Sequence, residues 1–178
     1  MKSKPLDLTY IALFAALIAL CSWITIPAAV PFTLQTFAIF ATLGILGGRR
    51  GTMAIAVYLL MAAIGLPVLS GFSGGVGAML GVTGGYLLGF FVMGITYWLL
   101  TSLWGAGPKA MLTALALCLV VCYLFGTLWF MLVYLRTTGP VGVSAVLGWC
   151  VFPFLIPDLM KLGLALLLTR RVGRFVRA

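Results

Sequence analysis

The sequence has no histidine and only two acids, Asp7 and Asp158, which stand far apart in the chain. Histidine is the most common general base and metal ligand, and two isolated carboxylates leave little for acid/base chemistry. No catalytic residue, metal site or cofactor is expected. A G-x-x-x-x-G-K-[ST] segment is also missing, because Pro108 precedes Lys109 and Met160 precedes Lys161. Any ATP-driven step must therefore come from a partner. Charge is scarce, at 7% of 178 residues, against about 25% in soluble domains. An ordinary water-facing surface is excluded. The four cysteines, Cys21, Cys118, Cys122 and Cys150, lie in apolar runs without a C-x-x-C, and read as small buried hydrophobes.

What is present is apolar: 64% of residues are hydrophobic, 22 are glycine, and the mean hydropathy is +1.27. The chain belongs in a bilayer. A span takes about 20 apolar residues, so the length allows about five to seven helices and one membrane domain over residues 1–178. The net charge of +9 comes from 11 Lys and Arg that sit between apolar runs, without a dense basic stripe. That distribution reads as topology signals and speaks against nucleic acid.

Gly, Pro and basic punctuation divides the chain into helices over Leu8 to Ala29, Leu34 to Gly48, Thr52 to Leu66, Gly85 to Leu103 and Ala110 to Tyr134, with a last one ending near Arg170. The last could start near Ser144 or at Pro157; proline suits a first helical turn, so Pro157 is taken as the start. The first run carries a weak cleavage pattern and is read as a retained helix. Six spans put Lys2, Lys4, Arg49, Arg50, Lys109, Arg170, Arg171, Arg174 and Arg177 on one side, Arg136 on the other, and Lys161 inside the last helix region. By the positive-inside rule both termini are cytoplasmic.

The second and third helices are short, roughly 22 Å each against a hydrocarbon core of about 30 Å. Their shortfalls face outward, beside a segment from Pro67 to Gly84 rich in glycine. Irregular backbone at membrane depth is tolerated where protein or a polar cavity satisfies it, so an outward-open cavity is expected.

Asp158 and Lys161 are the sharpest signal, because each would cost about 2.5 to 3.5 kcal/mol at a helix centre. At i, i+3 they share a helix face. There they either pair as an anchor or grip a polar ligand, Lys161 meeting an anion and Asp158 accepting from N–H donors. With Pro157 as the start, the helix N-terminus adds partial positive charge beside them. Gly81-Val82-Thr83-Gly84-Gly85-Tyr86 leads from the outer loop into a helix, and Tyr86 is either a ligand contact or an interfacial anchor. In the first helix Ala12 and Ala16, like Ala15 and Ala19, are small residues four apart, which suit internal packing or a partner helix.

Five segments together resemble a known family: Val30-Pro31-Phe32-Thr33-Leu34-Gln35-Thr36, Gly48-Arg49-Arg50-Gly51, Ile64-Gly65-Leu66-Pro67-Val68 with Gly71-Phe72-Ser73-Gly74-Gly75, Thr83-Gly84-Gly85-Tyr86, and Pro157-Asp158-Leu159-Met160-Lys161. In that order they resemble BioY, the biotin-specific S component of energy-coupling factor (ECF) transporters. The resemblance implies an all-α membrane protein with six transmembrane helices, in the cytoplasmic membrane of a prokaryote. It implies biotin as the transported ligand, and a T component and ATPase subunits as partners. Tyr86, Asp158 and Lys161 then look like biotin contacts, with Ser73, Gly74, Gly75 and Gly85 at the pocket, Phe32 on a lid loop, and Ala12 and Ala16 facing the T component. Val82 stands where relatives often have Pro, and Leu80 falls near a relative's polar pocket residue. Biotin's apolar bicycle, urea and carboxylate suit an apolar pocket with one cation and a few acceptors. An S component for another vitamin, a stand-alone carrier and a structural membrane subunit are the competing expectations.

Overall fold

The computed structural model describes residues 4–26, 31–105 and 107–177. Among them are α1 (Lys4–Trp23), β1 (Thr25–Ile26), β2 (Phe32–Thr33), α2 (Gln35–Leu46), α3 (Gly48–Ala63), a 3-10 turn (Ser70–Phe72), α4 (Val76–Met79), α5 (Gly84–Trp104), α6 (Pro108–Thr137), α7 (Val143–Cys150) and α8 (Phe152–Arg177). Four stretches are long and apolar enough to cross a membrane: Pro5–Trp23, Gly84–Trp104, Pro108–Thr137 and Val143–Gly173.

The shortest of the long elements is the most buried. Every residue of α2 from 38 to 46 is buried, as expected of a helix that is apolar all round. α2 lies against α1, α3 and α8; α3 continues onto α5, and α5 onto α6. Helix α8 turns one stripe inward, formed by Asp158, Leu162, Ala165 and Thr169 together with Lys161. α2 and α8 run parallel, since Thr36 meets Asp158 at one end and a Cβ on Gly44 would overlap the Thr169 hydroxyl at the other. The outside is equally apolar: Leu117, Val120, Leu124, Leu128 and Leu132 form the exposed face of α6. A bilayer is the solvent that matches such a face.

Several boundaries differ from the sequence reading. The first helix stops at Trp23, and Thr25 and Ile26 pair antiparallel with Thr33 and Phe32; β-branched residues before a proline favour extended backbone. The remainder of the expected first helix, residues 27–30, lies outside the described residues. Gly48 to Gly51 belong to the first turn of α3, and Gly47, at φ 81°, alone links α2 to α3. Pro157 does not start the last helix. It sits inside α8, which begins at Phe152 directly after α7. Asp158 therefore lies about 9 Å along the axis from the helix start, beyond the turn over which helix-end charge acts. The expected help from the helix N-terminus is absent.

The segment from Pro67 to Gly84 is irregular but satisfied. The Gly75 N–H donates to the Ala62 carbonyl at 2.7 Å and the Leu69 N–H to the Ser73 carbonyl at 3.0 Å. Basic residues gather at the opposite end of the bundle. There Arg50 pairs with Asp7 at 2.9 Å, a Cβ on Gly48 would meet Trp98 of α5, and Thr169 of α8 lies beside Gly44.

Candidate functional site

Three helices and the β-hairpin converge on one ion pair. Asp158 and Lys161 project inward from α8 because they fall on its buried stripe, and both are more than nine-tenths buried. Their ion pair is 2.8 Å long. The Thr36 hydroxyl, from the first turn of α2, donates to Asp158 Oδ1 at 2.8 Å, and the Tyr123 hydroxyl, from α6, donates to Oδ2 at 2.7 Å. Lys161 Nζ also donates to the Thr33 carbonyl at 2.7 Å and to Thr36 Oγ1 at 3.0 Å. All three ammonium protons thus have acceptors from the chain itself. Phe32 covers the ammonium, with its ring centre 4.1 Å from Nζ, and stacks on Phe154 at 5.9 Å. Taking two charges out of water is costly unless their remaining bonds are met, and here they are met.

The pair borders an open cavity of about 140 Å³. Leu69, Ala78, Leu87, Phe90 and Leu119 give it apolar walls; Thr33, Gln35, Thr36 and Tyr123 gather with the pair at its polar side. That balance of apolar walls and a few convergent polar groups suits a small organic ligand with a few polar groups. Among the described residues no cluster of three His, Cys, Asp or Glu side chains is present to hold a metal.

Of the residues singled out from the sequence, Asp158, Lys161, Tyr86 and Ser73 line the cavity. Tyr86 also bonds Thr127 Oγ1 at 3.2 Å, and Ser73 donates to the Ser70 carbonyl at 2.9 Å. Phe32 reaches the site through Lys161 and Phe154, without forming a wall. Gly74, Gly75 and Gly85 are not among the walls. Gly74 packs on the Leu66 carbonyl, and Gly85 makes room for Trp129, whose indole N–H donates to the Gly81 carbonyl at 3.0 Å. Leu80 and Val82 stand outside the walls too, with Thr83 the wall residue between them and Tyr86. In α1, Ala15 and Ala19 are buried, whereas Ala12 and Ala16 face outward.

Thr36, Tyr123, Gln35 and Phe154 were not singled out. Gln35 had a signal, being the one carboxamide side chain in the sequence, but tyrosine and threonine are too common in membrane helices to stand out. Gln35 Nε2 donates to the Tyr58 hydroxyl at 2.7 Å, which donates to the Val68 carbonyl at 3.2 Å; the Ser22 hydroxyl reaches the same carbonyl. This buried chain ties the cavity wall to the segment that follows α3. Tyr58→Phe removes its middle and is expected to cost about 1–3 kcal/mol, read as a lower melting temperature of the detergent-solubilised protein. An unchanged transition would show that the chain contributes nothing to stability.

Comparison with known proteins agrees with this architecture. The family model described as the BioY family matches residues 1–178. The chain is 35% identical over 177 residues to a probable biotin transporter BioY of Pyrococcus horikoshii, covering 97% of this chain and 98% of that one. It is 31% identical over 181 residues to the biotin transporter BioY of Rhodobacter capsulatus, covering 95% and 94%. A segment of 88 residues is 49% identical to the biotin transporter BioY of Thermotoga maritima, covering 47% and 52%. The fold is similar to a crystal structure, at 2.1 Å, of the S-component for biotin from an ECF-type ABC transporter, with a TM-score of 0.78 and 26% identity over 97% of this chain and 91% of that one. With the family pattern matched from end to end and relatives above 30% identity aligned over nearly their whole length, the chain belongs to the BioY family.

Proposed function

We propose that the chain is the biotin-binding S component of an ECF-type ABC transporter, a capture subunit and not an enzyme. The observation that carries this reading is the buried Asp158–Lys161 pair on the wall of an otherwise largely apolar cavity, in a chain whose relatives are named biotin transporters. Biotin offers urea N–H donors to Asp158, a thioether bicycle and alkyl chain to the apolar walls, and a carboxylate. Tyr86 and Ser73 contribute to the walls, Phe32 closes over Lys161, and Gly74, Gly75 and Gly85 shape the surrounding backbone.

The single domain crosses the cytoplasmic membrane of a prokaryote six times: α1, α2, α3, α5, α6 and the joined α7–α8 are the spans. Arg49 and Arg50 lie in the first turn of α3, Lys109 in the first turn of α6, and Arg170 and Arg171 in the last third of α8, toward the end opposite the cavity, and the positive-inside rule makes that end cytoplasmic. The cavity then opens outward. Energy for release comes from a T component and ATPase subunits, since the sequence encodes no P-loop. The outward pair Ala12 and Ala16 suits close approach by a helix of the T component.

Native mass spectrometry of the detergent-purified protein, followed by calorimetry with biotin, tests the reading. A bound mass matching biotin and a single-site titration are expected. Another vitamin in its place would replace the substrate, and the absence of any ligand with no heat of biotin binding would leave a structural subunit.

A further inference from the structure

The carboxylate of Asp158 is pulled in two directions. Lys161 sits one turn further along the same helix and, acting alone, would draw both oxygens toward its ammonium in a fork. It holds Oδ1 only; Tyr123, from α6 on another wall of the cavity, takes Oδ2 at 2.7 Å. The Thr36 hydroxyl, from α2, donates to Oδ1 and accepts from Lys161, so it fixes the geometry between acid and base. Among the described residues, Oδ1 has two donors, Lys161 and Thr36, and Oδ2 has one, Tyr123. A carboxylate oxygen accepts two hydrogen bonds, so Oδ2 keeps a lone pair for a ligand. Lys161 has no proton left over, its three being directed at Thr33, Thr36 and Asp158.

From this arrangement we propose that Tyr123 and Thr36 are positioning residues, which hold the Asp158 carboxylate turned so that Oδ2 presents its remaining lone pair to an N–H donor of the ligand. The proposal rests on the biotin-binding reading above and gives its site a mechanism of selection. Tyr123 keeps Oδ2 out of the fork with Lys161. Thr36 is the wedge that stops the ammonium from sliding across the carboxylate. Charge-assisted hydrogen bonds of this length are strong enough to fix an orientation. The three donors come from three different helices, so the orientation depends on the assembled bundle. A ligand that offers an acceptor in place of the N–H would meet Oδ2 lone pair to lone pair and be rejected, because a buried polar group left unpaired is costly.

A double-mutant cycle on biotin affinity tests the proposal, with melting temperatures recorded for every variant. Tyr123→Phe keeps the ring in the wall and is expected to weaken biotin about tenfold. Asp158→Asn is expected to weaken it about a hundredfold. If Tyr123 acts through Asp158, adding Tyr123→Phe to Asp158→Asn changes affinity less than about threefold, which is the coupling such a cycle isolates. Thr36→Val should follow the same pattern, and Thr36→Ser should recover most of the affinity lost in Thr36→Val. A full tenfold loss again in the Asp158→Asn background overturns the proposal, as does a Tyr123→Phe protein with lowered melting temperature and unaltered affinity. If the unsubstituted chain binds no biotin, the function reading falls and this one with it; if it binds and the cycle is additive, the positioning role alone is lost.

Discussion

Lys161→Ala is expected to lower biotin affinity at least tenfold and to lower the melting temperature of the protein as well. The substitution removes one half of a pair in which Asp158 is 2% and Lys161 6% exposed. Breaking a buried pair from one side costs about 3–5 kcal/mol, because the charge left behind has no compensation. It also frees the Thr33 carbonyl and the Phe32 ring, the two contacts by which Lys161 ties the β-hairpin to α8. Loss of both charges together is a different case, since replacing a whole buried pair with apolar groups is often near neutral for stability. Asp158→Leu combined with Lys161→Met, which keeps the side-chain volume, should therefore regain much of the melting temperature and none of the biotin affinity. Calorimetry and thermal melting of the two proteins measure this. A double variant that binds biotin like the unsubstituted protein would reduce the pair to a structural anchor.

Gly126→Leu is expected to prevent α5 and α6 from closing, seen as loss of a monodisperse, cooperatively melting protein in detergent. A Cβ on Gly126 would overlap the Tyr86 ring, and a Cβ on Gly85, one helix across, would overlap Trp129. The two contacts are reciprocal, with each glycine receiving the aromatic side chain of the other helix. Tyr86 has little room to retreat, because it borders the cavity on one side and bonds Thr127 on another. Overpacking a full core costs about 1–3 kcal/mol or more, and here the displaced ring would also enter the ligand space. Gly163 provides the control: a Cβ there meets nothing within 4 Å, so Gly163→Ala should be neutral or stabilise by about 0.5–1 kcal/mol through helix propensity. Equal destabilisation by both substitutions would show that close helix approach is not what Gly126 provides.

The difference between the two glycines could not be read from the sequence, and neither could the split between Ala12 with Ala16 and Ala15 with Ala19. In a soluble helix the polar face identifies the apolar one. In α1 both faces are apolar, with Leu13 and Leu20 turned to the surrounding lipid and Ile11, Phe14 and Ile18 turned to the core. Periodicity then has no contrast to display. The same blindness hid Tyr123, which sits in a run of apolar residues on α6. It also left the start of the last helix to proline placement, and Pro157 turned out to be tolerated inside α8.

What the sequence determined by itself was whatever a bilayer makes expensive. The scarcity of charge marked the chain as membrane-embedded, the clustered Lys and Arg marked one end, and Asp158 with Lys161 marked the site, because each charge at depth needs a reason to be there. The motif order carried the family. Tertiary structure alone decided what surrounds the pair: Thr36 arrives from α2 and Tyr123 from α6, 122 and 35 positions away from Asp158. Hydroxyl groups are cheap enough to occur anywhere in a membrane helix, so they acquire meaning only when packing brings them to a charge.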